Sequence, residues 1–235
     1  MMLDFSDYTV SNRNVENITD KIKEKSSKKI NTVWLGTQKY EPIFNLQKKI
    51  HEFRINDQIR DVVLMLEHNH VYTLGKNANS NHILTNGNNV YQTDRGGDVT
   101  YHGPGQLVCY PILNLINYNK SISWYVDILQ ESILSILMTY KIAAKKKNSP
   151  HTGVWVDDDK IAAIGIRLSR WTSMHGFSLN VNTDLSYYDK IIPCGIFDYG
   201  ITSISEITNQ EVDIFDFAQH ASDILTNNLT TKAIC

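Results

Sequence analysis

The chain has 235 residues, 42% of them hydrophobic and 20% charged, with a formal net charge of -2. That length supports one large domain able to bury a substantial core, and a charge so near neutral argues against general nucleic-acid binding, which needs a dominant basic face. The three cysteines, Cys109, Cys194 and Cys235, are odd in number and widely spaced, which speaks against a disulfide framework and for free thiols in a reducing compartment.

Residues 1–31 read as a flexible polar extension, because the stretch from Ser11 to Lys29 is polar and charged with no sustained apolar period. A targeting role is one reading, but Asp4, Asp7, Glu16, Asp20 and Glu24 are unwelcome in a transit peptide. The extension and the enrichment in asparagine and isoleucine lean toward a mitochondrial matrix location, with a bacterial cytoplasm as the alternative. From residue 32 onward a single domain is expected.

A helix is predicted over residues 41–56, with Ile43, Phe44, Gln47, Ile50, Phe53 and Arg54 at helical spacing and Pro42 in the first turn. Residues 62–66 and 107–115 are apolar runs of strand length, and Pro111 points to an edge or an irregularity in the second. Ser123 is the expected N-cap of a long helix with Val126, Leu129, Ile133, Leu137 and Tyr140 along one stripe. That region is the longest apolar candidate, and Asp127, Gln130 and Glu131 interrupt it too often for a membrane span. Residues 153–156 and 160–168 flank Asp157-Asp-Asp159 as a hairpin, residues 172–182 alternate as a strand, and residues 214–228 close the chain as an amphipathic helix. Helices interspersed with hairpins give an α/β (α+β) class with a mixed, largely antiparallel sheet.

Chemistry concentrates in three stretches. Arg95-Gly-Gly-Asp-Val-Thr-Tyr-His-Gly-Pro-Gly-Gln106 carries four glycines, whose amides at Gly96, Gly97, Gly103 and Gly105 can approach a ligand or face a carbonyl oxygen. It is neither a P-loop nor a dinucleotide fingerprint, and a plain turn between strands is its bland alternative. Cys194 lies in a loop, whereas Cys109 sits in an apolar run and reads as a small core residue. A base for Cys194 is offered by Lys160 or by His175, since an ammonium near a thiol depresses the thiol pKa and exchanges its proton. No metal site is expected: Asp157-Asp-Asp159 lacks the further ligands of a calcium loop, and His68, His70 and His102 are read as pocket or solvent residues.

Four blocks together resemble the lipoyl(octanoyl) transferase family. They are Leu66-Glu-His-Asn-His-Val-Tyr-Thr-Leu-Gly75, then Asp94-Arg-Gly-Gly-Asp-Val-Thr-Tyr-His-Gly-Pro-Gly-Gln-Leu-Val108, then Gly153-Val-Trp-Val with Lys160-Ile-Ala-Ala-Ile-Gly165, and His175-Gly-Phe-Ser-Leu-Asn-Val-Asn182 leading to Pro193-Cys-Gly195. The resemblance covers the chain from about residue 32 to the last helix and implies one catalytic domain over 32–235, of the lipoate and biotin protein ligase type. It implies that Cys194 carries the acyl group as a thioester and that Lys160 lowers the thiol pKa and moves the proton. It also implies an acyl pocket built from Arg95, Gly96, Gly97, Asp98, Val99, Thr100, Tyr101 and His102, from Ala163, Ile164 and Gly165, and from Gly176, Phe177 and Ser178. The implied reaction moves octanoyl from acyl carrier protein to the lysine of lipoyl domains, in 2-oxoacid dehydrogenases and the glycine cleavage H protein, as the first step of endogenous lipoylation and without cofactor, nucleic acid or membrane. Lys145, Lys146 and Lys147 read either as a docking patch for an acidic carrier or as a solvated loop. The rivals are an ATP-dependent lipoate or biotin ligase, a non-catalytic lipoyl-domain binder and a thioesterase using Cys194 with His175.

Overall fold

The computed structural model describes residues 2–85, 87, 89–192 and 200–233. Strand β1 (Leu3–Asp4) and helix α1 (Val15–Lys25) precede β2 (Ile30–Gln38), α2 (Tyr40–Ile55) and β3 (Asp61–His68). Next come β4 (Val71–Leu74), β5 (Val90–Gln92), β6 (Val99–His102), β7 (Gln106–Ile112) and α3 (Ile122–Thr139). The strands β8 (Lys145–Lys147), β9 (Gly153–Val156), β10 (Asp159–Ser169), β11 (Thr172–Asn180) and β12 (Gly200–Ile201) lead to α4 (Ile204–Thr208) and α5 (Ile214–Thr231).

Among the described residues the main sheet runs in the order β1-β2-β3-β7-β11-β10-β9-β8, with β12 parallel to β10, and a small sheet runs β5-β4-β6. Only β1, β2 and β3 are mutually parallel within the main path; the steps from β3 to β8 are antiparallel. The apolar run of β3 exists because both of its faces are covered. Val63 and Met65 join Leu129, Ile133 and Leu137 of α3 and Phe217, Ala221 and Leu225 of α5, while Val62, Leu64 and Leu66 join Ile43, Leu46 and Ile50 of α2. Strand β7 alternates in the same way, and Cys109 is fully buried as expected, with burial pushing its thiol well above the usual range.

The flexible extension expected for residues 1–31 is corrected by the structure. Val15, Ile18 and Ile22 recur at helical spacing on α1, and with Phe5 and Val10 they complete the core beneath α2. Three apolar residues in eleven are too sparse a stripe to stand out from the surrounding lysines and acids, yet all three are buried. The N-cap of α3 is Ser121, whose hydroxyl accepts the Trp124 N–H, and not Ser123. Pro111 lies in a central strand, but the pairing of β7 with β11 ends at Cys109, so its missing N–H falls just beyond the ladder. The three lysines at 145–147 form the edge strand β8, where Lys146 pairs with Asp127 and Glu131 and Lys147 with Asp158. Such charges guard an open edge.

Replacing Ile18 by Ala should remove about 2–5 kcal/mol of stability and lower the calorimetric unfolding midpoint by roughly 5–15 °C. A midpoint unchanged by the substitution would restore the flexible reading of this segment.

Candidate active site

The long glycine block folds as β6 with a turn on either side, ending at the first residue of β7. Its anchor is the Arg95 guanidinium, which is 8% exposed and donates to the Thr73 carbonyl at 2.7 Å, to the Asp98 carbonyl at 2.8 Å and to the Gly96 carbonyl at 3.0 Å. The Gly96 N–H binds the Ile166 carbonyl at 2.9 Å and ties the block to β10. Two glycines outside the block permit this approach. A Cβ on Gly75 would sit 2.0 Å from the Gly97 carbonyl oxygen, and one on Gly165 would sit 2.9 Å from that of Gly96 and 3.1 Å from Arg95 Cδ.

Between this block and the β10–β11 hairpin lies a cavity of about 50 Å³. Arg95, Gly97, Asp98, Val99, Thr100 and His102 line it from the block, and Ala163, Ile164 and Gly165 of β10 meet Gly176, Phe177 and Ser178 of β11 on the other side. The hairpin register places Ile164 opposite Phe177 and Gly165 opposite Gly176, which is why two sequence-distant triplets form one wall. Gly96 and Tyr101 do not line the cavity. Strand alternation turns Tyr101 into the small core with Tyr72 and Tyr188, where its hydroxyl hydrogen-bonds His70 Nδ1 at 2.7 Å. Of the four glycine amides, Gly96 is used on Ile166 and Gly105 donates to Glu67 Oε1 at 2.6 Å.

Tyr40, Tyr110, Thr152 and His175 complete the lining. Tyr40 and Tyr110 escaped the sequence reading because each sits in an element whose other residues are core. His175 was read only as a candidate base; its backbone has φ +58°, its N–H is bound by Gln47 Oε1, and its Nε2–H donates to Asp94 Oδ1 at 2.7 Å. Asp94 also pairs with Arg167 at 3.1 Å, and the hydrogen bond from His175 is the first cause that holds its carboxyl below the usual range.

The neighbouring imidazoles are neutral by construction. His68 Nδ1–H donates to the Gln38 carbonyl at 3.1 Å, which leaves Nε2 to accept the Tyr110 hydroxyl at 2.9 Å, and burial brings its pKa down to about 4. His102 Nδ1–H donates to Gln106 Oε1 at 2.7 Å, and burial, reinforced by His68, brings its pKa down to about 3. Gln106 is oriented in turn by donating to the Tyr101 carbonyl and Asn180 Oδ1.

Lys160 is 5% exposed at the start of β10, its Nζ 4.8 Å from the centre of the Trp155 ring. Cys194 lies outside the described residues, but both flanks of its segment are described. Before it, the Ile192 N–H binds the His82 carbonyl at 2.8 Å and Ile191 bridges Ile83. After it, β12 runs beside Asp159 and Lys160, with the Thr202 N–H on the Lys160 carbonyl at 3.1 Å. Among the described residues no three His, Cys, Asp or Glu side chains are grouped as metal ligands.

Residues 39–226 match the family model described as the lipoyl protein ligase A/B catalytic domain. An octanoyltransferase of Caldicellulosiruptor saccharolyticus is 40% identical over 196 residues, 80% of this chain and 83% of the relative. One from Nostoc punctiforme is 43% identical, covering 77% of this chain and 82% of the relative. The chain belongs to the octanoyltransferase family. As a member it is an acyltransferase, and its fold is similar to that of solved structures. A bi-partite lipoate protein ligase of Thermoplasma acidophilum superposes with a TM-score of 0.62 at 11% identity, covering 85% of this chain and 83% of that one. The Aquifex aeolicus biotin protein ligase, in complex with biotin and ATP, gives 0.55 at 17% identity, covering 85% and 70%. The relatives named are bacterial, so the lean toward a mitochondrial location finds no support in them. Among the described residues no helix is long and apolar enough to cross a membrane.

Because the folded pKa values of His68 and His102, about 4 and about 3, lie below the unfolded 6.5, the unfolded chain binds more protons between those limits. Stability is therefore full above about pH 6.5 and falls as the solution is acidified through that window. Imidazole ¹⁵N shifts of both rings should still report the neutral form at pH 5; protonation of either near pH 6.5 would contradict the assigned hydrogen bonds.

Proposed function

We propose that this octanoyltransferase moves an octanoyl group from acyl carrier protein, through a thioester on Cys194, to the lysine amine of a lipoyl domain, with Lys160 carrying the proton. The acceptors in this reading are the lipoyl domains of 2-oxoacid dehydrogenases and the glycine cleavage H protein. The observation that carries it is the return of the chain, after the cysteine segment, as β12 alongside Lys160, on the same strand whose residues Ala163, Ile164 and Gly165 line the cavity.

In the first step the Cys194 thiol gives its proton to the Lys160 amine, and the sulfur attacks the donor thioester carbonyl. The new C–S bond forms, the donor C–S bond breaks, and the departing carrier thiolate takes the proton back from Lys160. One thioester replaces another, so no ATP is needed. In the second step the neutral amine of the acceptor lysine attacks the same carbonyl, a C–N bond forms, the bond to Cys194 breaks, and Lys160 relays the amine's proton to the sulfur. The amide product is the more stable, which draws the reaction forward. The apolar side chains Val99, Ile164 and Phe177 bury the acyl tail, while Gly97, on the cavity wall and free of side-chain bulk, offers its amide to the tetrahedral oxyanion. Neutral His102 and His175 shape the polar side of the cavity without placing charge beside the tail.

Incubation with octanoyl carrier protein in the absence of ATP should give an octanoyl adduct by intact mass. The adduct is expected to be absent in Cys194→Ala, and Lys160→Met is expected to slow transfer to a lipoyl domain by about 10²–10⁴-fold. Adduct formation that depends on ATP would favour a ligase, and rapid release of free octanoate with no acceptor present would favour a thioesterase.

A further inference from the structure

Lys160 stands on β10 directly across the ladder from Trp155 of β9. The Trp155 side chain is 1% exposed, and its Nε1–H donates to the His151 carbonyl at 3.1 Å, which fixes the plane of the ring. Among the described residues two ammonium groups meet that ring: Lys160 Nζ at 4.8 Å and Lys147 Nζ, from the strand on the other side of β9, at 4.1 Å. A Cβ on Gly153 would lie 2.6 Å from the Ala162 carbonyl oxygen and at van der Waals distance, 3.4 Å, from Cε of the Lys160 stem. Trp155 is not among the residues that line the cavity.

We infer that Trp155 is a positioning residue for the transfer reaction: its π face holds the Lys160 ammonium at one place beside β9, and Lys147 and the His151 carbonyl hold the ring. This rests on the proton-carrying role proposed for Lys160. A cation is attracted to the negative face of an aromatic ring, most strongly to an indole and more so where water is excluded. The long lysine stem has many rotamers, so a fixed partner for its end converts a mobile base into an oriented one. A ring serving only as core filler would have no such dependence on its electron density.

The experiment introduces tryptophans of increasing ring fluorination at position 155 by nonsense suppression in the full chain, which weakens the π face with little change of shape. Turnover is measured with octanoyl carrier protein and a lipoyl-domain acceptor. Across the series kcat should fall stepwise by about tenfold in total, while the KM for the donor stays within about twofold. Trp155→Phe, which keeps a smaller ring face, should retain more activity than Trp155→Leu, and the fluorinated proteins carry the test if Trp155→Leu fails to fold. A kcat that stays flat across the fluorinated series, in a protein that Lys160→Met inactivates, would overturn the positioning role alone. Full activity of Lys160→Met would instead remove the reading on which it rests.

Discussion

A buried guanidinium has to be surrounded by acceptors, and Arg95 finds them in the backbone. Its donors take the carbonyls of Thr73, Gly96 and Asp98 and the Thr73 hydroxyl, so one side chain joins β4 of the small sheet to the turn that opens the glycine block. Arginine suits this better than lysine because its planar fork serves several fixed acceptors at once. The rest of the site follows from that anchor. With Arg95 in place, Gly96 reaches Ile166 on β10, the small sheet is held against the main one, and the space left between them is the cavity proposed for the acyl chain.

The imidazoles around the cavity are uncharged, which suits the acyl tail proposed for it. Each nearby imidazole has its proton fixed by a backbone or side-chain acceptor and is kept neutral by burial, and the Asp94 carboxylate is drawn away by His175 and Arg167. The amine that carries the proton in the proposed chemistry stands on β10 beside the indole of Trp155. Binding and proton transfer are thereby assigned to different ends of the same two strands. Lipoate and biotin protein ligases of known structure share this α/β fold at 11–17% identity, and the fold alone leaves the chemistry to particular side chains.

Much of this was legible in the sequence because the elements concerned are long and periodic. The apolar run of β3, the alternation of β11, the acidic hairpin turn and the stripe of α5 place themselves by spacing alone. The glycine block showed where the backbone can approach a ligand, and the family resemblance, more than the glycines themselves, made it a pocket wall instead of a plain turn. What stayed hidden depends on contacts between distant segments. Helix α1 is stabilised by the packing of Val15, Ile18 and Ile22 and not by its own composition, Tyr101 is turned away by strand parity, and Tyr40 and Tyr110 reach the cavity from opposite elements. The pairing of β12 with β10 could not be read from two residues of sequence, yet it returns the chain to Lys160.

The dependence of the acyl cavity on Arg95 can be measured in a background that cannot turn over. With Cys194→Ala as the parent, Arg95→Met should weaken calorimetric binding of octanoyl-pantetheine by about tenfold or more, since removing the guanidinium leaves several buried carbonyls unsatisfied and frees the glycine block to move. Far-UV circular dichroism should be retained. Equal affinity in the two proteins would show that the cavity forms without the anchor and would contradict the account.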